Sequence, residues 1–135
     1  MTVKELSDAP KPAATVAARL TQLRQLARRF GAKEHFNKEL IECRLIAQPI
    51  DRYQSQAEKI VDGAIFALAN GTNPEIGVVL ETDGEHWTYG ILRLTSAEST
   101  VTLDGKEIVA YEKFNARGRK DGPYNSGSYK MDKVK

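Results

Sequence analysis

Hydrophobic and polar positions change period along this chain. Between residues 13 and 30, Val16, Leu20, Leu23, Ala27 and Phe30 recur at helical spacing, with Arg19, Gln22, Arg28 and Arg29 largely off that stripe. Gly31 stands where a helix commonly stops, so the spacing predicts an amphipathic helix over 13–30. Its arginines suit the negative end of the helix dipole. The residues before it, with Pro10 and Pro12 among small and charged neighbours, read as an irregular lead-in over 1–12. Over 33–48 the periods conflict. Ile41, Cys43, Leu45 and Ala47 alternate as in a strand, whereas Phe36, Leu40 and Cys43 fall on one helical face; a short turn and then a strand is the preferred reading. Pro49 is expected to end that strand, and 51–62 to form a polar connection with a helical turn near Gln54 to Lys59.

From Asp62 to Glu112, short apolar segments are separated by Asn-Gly and Asp-Gly turns, the pattern of an antiparallel meander. Residues 64–69 are apolar almost throughout and read as the most buried, central strand. A two-residue turn at Asp83-Gly84 would set Leu80 opposite Trp87, Val78 opposite Tyr89 and Ile76 opposite Ile91. On the other face it would set Glu81 opposite His86 and Gly77 opposite Gly90. The same logic at Asp104-Gly105 sets Val101 opposite Ile108 and Thr102 opposite Glu107. The expected fold is α+β: an N-terminal amphipathic helix packed on a twisted, mainly antiparallel β-meander of about six strands. A single domain over 13–113 would carry a basic flexible tail over 114–135.

Composition adds bounds to this picture. The 135 residues suit one domain, and 41% apolar with 28% charged residues is the balance of a soluble globular chain. No apolar stretch approaches the roughly 20 residues of a bilayer-spanning helix. Lys4, Glu5 and Asp8 interrupt any secretion signal, and a lone cysteine, Cys43, cannot close an internal disulfide, so a cytoplasmic location is expected. The net charge of +2 conceals segregation: residues 1–31 hold six basic and two acidic groups, 32–112 seven and fourteen, and 113–135 seven and two. Basic ends on an acidic body can dock on an anionic partner or on the body itself, and the second is the simpler reading.

The segments LRQLARRF (residues 23–30), AQPIDRY (47–53), DGAIFALANGTNPE (62–75) and WTYGILRL (87–94) resemble an uncharacterised bacterial single-domain family. The likeness spans about two-thirds of the chain and stops before the basic tail. It implies a recurring single-domain fold and carries over no activity, ligand or catalytic residue.

Candidate chemistry is sparse. His35 and His86 belong to no metal-binding spacing, and no cofactor signature is present, so neither metal nor cofactor is expected. A Glu81/His86 pair across the hairpin would let a carboxylate orient an imidazole for general-base catalysis, although such cross-strand polar pairs are ordinary in sheets. Cys43 reads as a buried thiol, not a nucleophile. The Gly71 to Pro74 loop lacks a phosphate-binding pattern and reads as a hairpin connection. Trp87 and Tyr89 are candidates to line an apolar ligand pocket on a sheet that one helix cannot cover. Arg117, Arg119 and Lys120, with nearby tyrosines, offer charge and stacking to nucleic acid, which the acidic body opposes. The expectation is a noncatalytic binding or interaction module for an unknown protein or small apolar ligand, with homodimerisation through exposed sheet surface as a complement. A small enzyme using Glu81 and His86, and a nucleic-acid binder using the basic ends, are the alternatives.

Overall fold

A computed structural model describes residues 1–114, which form eight strands and one helix. In chain order these are β1 (Lys4–Glu5), α1 (Val16–Ala27), β2 (Phe30–Phe36), β3 (Glu39–Ser55), β4 (Ile60–Asn70), β5 (Asn73–Thr82), β6 (Trp87–Arg93), β7 (Glu98–Leu103) and β8 (Lys106–Tyr111). All neighbouring strands are antiparallel, in the order β1-β6-β5-β4-β3-β2-β7-β8. That order forces the sheet to roll. In a flat sheet, five inter-strand steps would part β6 from β7 by roughly 24 Å at about 4.8 Å each. The residues between Arg93 and Glu98 can span only about 18 Å even fully extended. The sheet therefore curls until its two edges face one another.

The interior is filled from every strand except the edge strand β1. Phe66 and Leu68 of β4, Val78 and Leu80 of β5, Trp87 of β6 and Val101 of β7 are all within 1% of complete burial. Leu23, Leu26 and Ala27 of α1 press onto this cluster. The helix is short for a reason: Thr15 caps it, its Oγ1 accepting the Ala18 N–H at 3.2 Å, and Phe30 is already paired with Leu103 in β2. At the same end Asp62 accepts from Arg19 Nε at 2.9 Å and from Arg52 Nη2 at 2.6 Å, so a buried carboxylate is held by two guanidiniums from different elements.

The fold thus differs from a helix laid on a six-strand meander: the protein is mostly β, an eight-stranded curled sheet with one short helix. The helix occupies 16–27 instead of 13–30. The segment expected as a turn and one strand is a hairpin, β2–β3, because Asn37 and Lys38 both take positive φ (50° and 66°) and make a two-residue turn. Pro49 does not end β3. It lies between the pairs Ile46↔Ala67 and Asp51↔Ile65, where extra residues bulge out of the ladder and no N–H is required of it. The polar stretch after it continues as strand to Ser55. The lead-in also contributes: Lys4 and Glu5 pair with Tyr89 and Thr88, and Leu6 is buried in the core. The expectation that 64–69 form a buried, central strand holds, since β4 is flanked on both sides and all six residues are buried.

Candidate functional site

The β5–β6 hairpin turns differently from a two-residue Asp-Gly turn, and that decides where the predicted site residues lie. Asp83 Oδ1 accepts the N–H groups of Glu85 and His86, both at 2.8 Å, while Thr82 Oγ1 accepts from Gly84 and donates to the His86 carbonyl. Only Gly84 has positive φ, so the loop spans 83–86 and Thr82 pairs with Trp87. Every expected partner moves by two residues: Leu80 faces Tyr89, Val78 faces Ile91, and Ile76 faces Arg93. Gly77 faces Leu92, which removes the expected glycine trough.

Glu81 and His86 are consequently not brought together. Glu81 pairs with Thr88 and accepts a 2.5 Å hydrogen bond from the Tyr53 hydroxyl. The Tyr53 ring crosses Gly63 to reach it, so closely that a Cβ there would lie 2.6 Å from the ring. Burial, then the Glu81 contact, pushes the Tyr53 phenol up and keeps it a donor. His86 is exposed, with Nδ1 at 3.7 Å from Asp83 Oδ2. Trp87 is wholly interior, its indole N–H donating to the Pro10 carbonyl at 3.1 Å, and it fastens the lead-in to the core. Arg117, Arg119 and Lys120 lie outside the described residues.

Tyr89 is placed differently. Its ring meets Phe30 across the interior, centroids 5.3 Å apart, and its other side faces the seam where the rolled sheet fails to close. That seam exists because β1 pairs only with Tyr89 and Thr88, leaving the rest of the β6 edge opposite β8 without a ladder between them. Here Tyr89 and Ile91 of β6 face Ile108, Val109 and Tyr111 of β8 across a cleft of about 450 Å³, which Met1, Thr2 and Lys4 also line. Ile108 comes to line it through a bulge: Thr102 pairs with Glu107 as expected, but Val101 pairs with Val109.

Arg93 closes one end of the seam. Its Nε donates to the Thr95 carbonyl at 2.8 Å, and Nη2 reaches the carbonyls of Glu112 (2.6 Å), Ala97 (3.1 Å) and Ser96 (3.3 Å). The guanidinium also lies 4.9 Å from the Tyr111 ring centroid and 5.1 Å from that of Phe114. Burial holds Arg93 below the usual arginine range and pushes the Tyr111 phenol up, the cation opposing that rise. The cleft is therefore bounded at Tyr111 by a phenol held in its neutral form, with Arg93 stacked on that ring, while Thr2 and Lys4 add polar groups to the lining.

Of the two aromatic candidates from the sequence, Tyr89 lines this cleft and Trp87 does not, and the β8 wall was not foreseen. The Asp104-Gly105 turn marked the strand that follows it, but nothing local says that it meets β6 across the roll. Among the described residues no three His, Cys, Asp or Glu side chains gather to hold a metal ion, and no helix is long and apolar enough to cross a membrane. No protein-family model matches this chain, and comparisons with curated proteins and with solved structures return no match either.

Proposed function

We propose that this protein is a noncatalytic binding module that holds a small apolar molecule in the seam between β6 and β8. One observation carries the reading: two stretches of a rolled sheet stand apart around a concave slot of about 450 Å³, lined chiefly by aliphatic and aromatic side chains with Thr2 and Lys4 beside them, instead of pairing. That volume lies within the range of ordinary ligand pockets. Tyr89 and Tyr111 supply hydroxyls that would orient a ligand with one polar end, while Ile91, Ile108 and Val109 supply the apolar wall. Dimerisation is a second reading, supported by the β8 edge, which among the described residues pairs with β7 alone and offers a row of backbone groups to another strand.

Native mass spectrometry of the full chain purified from its own cells tests both. A retained small molecule, absent from an Ile108→Glu variant that unfolds at a similar temperature, is the expected result. A bare monomer that also fails to bind the apolar fluorophore N-phenyl-1-naphthylamine would overturn the ligand reading. A bare dimer would transfer support to the β8 edge.

A further inference from the structure

The rolled sheet buries carboxylates at both ends and treats them differently. At the helix end two arginines neutralise Asp62. At the other end, where β4 finishes at Asn70, Glu34 and Glu75 are 2% and 5% exposed, and among the described residues no lysine, arginine or histidine pairs with either. Asn70 Nδ2 donates to Glu34 Oε1 at 3.0 Å, and Asn73 Nδ2 to Glu75 Oε1 at 2.6 Å. Glu34 Oε2 makes no hydrogen bond, although the Glu75 carboxyl and the Thr95 hydroxyl stand next to it. Ser99, directly opposite Glu34 in the β2–β7 ladder, also has a buried Oγ without a partner.

Glu75 is aimed here by a bulge. Leu68 pairs with Ile76 and Ala69 with Pro74, so Glu75 is the extra residue, and a bulge redirects the side chain that it carries. Burial, then the Glu75 charge, raises the Glu34 carboxyl above the ordinary range, against the pull of the Asn70 hydrogen bond. Glu34 thus holds its proton to a higher pH than an ordinary carboxyl does. A buried acceptor without a partner costs stability, and Glu34 Oε2 is such an acceptor at the wall of a cleft, where a bound molecule could donate to it.

Glu34, Glu75, Asn70, Asn73 and Thr95 line one cleft of about 630 Å³, with Phe36, 52% exposed, at its rim. We propose that this cleft binds a small organic amine whose primary ammonium sits against Glu34 and Glu75. Three N–H donors on one cation match Glu34 Oε2, the Glu75 carboxylate and the Thr95 hydroxyl. The cation takes the place of a proton on Glu34, and that proton leaves to solvent. A metal ion fits less well: His35 and Glu98 also line the cleft but pair with each other at 3.4 Å, among the described residues no three His, Cys, Asp or Glu side chains gather to hold an ion, and the cleft far exceeds a bare ion. Phe36 gives the alkyl part an apolar face. Lys38 and Lys113 also line the rim without pairing with either carboxylate, so they favour a slender ligand over a bulky cation.

The test is calorimetric titration of the full chain with 1,4-diaminobutane, with 1,4-butanediol, tetramethylammonium chloride and calcium chloride as comparisons. The expected result is saturable one-to-one binding of the diamine, tighter near pH 8 than near pH 5.5, with proton release visible as a buffer-dependent heat. Glu34→Gln and Glu75→Gln should each weaken it by about tenfold or more, the loss expected of one charge-assisted hydrogen bond. Amide shifts on titration should centre on residues 34, 70, 73, 75 and 95 in the unmutated chain, a readout independent of variant folding. Absence of saturable diamine binding, equal binding by the diol, shifts centred elsewhere, unchanged affinity in both folded variants, or calcium displacing the diamine would each overturn the proposal.

Discussion

Asp62 and Glu34 are about equally buried, yet their surroundings give opposite signs to similar substitutions. Asp62 neutralises Arg19 and Arg52, so Asp62→Ala leaves two guanidiniums short of their partner and should cost about 3–5 kcal/mol in urea unfolding. Glu34 neutralises nothing. In the unfolded chain its proton leaves in the ordinary carboxylate range, near pH 4.3 by analogy with model peptides; in the folded chain it is held to a higher pH. Within that window the folded state binds more protons than the unfolded one, so stability falls as pH rises through it. Glu34→Gln removes this loss. Urea midpoints should show the variant gaining on the unmutated chain between about pH 4 and pH 8, and a constant gap across that range would refute the account. Cys43 belongs to the same neighbourhood: burial, then Glu34 and Glu75, push its thiol up to about 12, which keeps it a packing residue.

Among the elements, those legible in the sequence were the ones specified locally. β4 was visible as an unbroken apolar run, and the Asp104-Gly105 turn, with φ of 53° and 81°, set the Thr102↔Glu107 pair as expected. The β5–β6 register was misread because Asp83 spends its carboxylate on the loop's own N–H groups, which stabilises a four-residue connection over the two-residue one. The β2–β3 hairpin was missed because Asn37-Lys38 lacks the glycine that usually announces such a turn. Lys38 holds φ 66°, a conformation that strains a side chain and that glycine adopts freely. Lys38→Gly should therefore raise stability by about 0.5–1 kcal/mol, read as a higher urea midpoint at unchanged slope. A lower midpoint would mean that the lysine side chain is worth more than the turn strain.

For the whole molecule, the decisive contacts join residues far apart in sequence, and this is why the clefts were hard to foresee. Tyr89 was identifiable as an aromatic on a strand, but the seam needs β8 against β6, and the Glu34/Glu75 pair needs a bulge at one position and a strand absent from the expected fold. Arg93 makes the roll durable by binding four carbonyls beyond the end of its own strand. Lysine cannot reproduce that planar fork, so Arg93→Lys should lower stability by about 2 kcal/mol and speed hydrogen exchange in β8 more than in β4. Uniform acceleration across both strands would show that Arg93 supports global stability without specifically fastening the seam. The short link over 94–97 has a consequence for how the chain is made. β2 emerges from the ribosome early but receives its partner β7 only about seventy residues later. Until then the edge of β2 and the apolar interior behind it stand open, so a nascent chain halted before β7 presents a sticky ribbon. β7 and β8 act as a late-arriving lid on biosynthesis, and chains cut short before them are the ones a cell would have to shield or destroy.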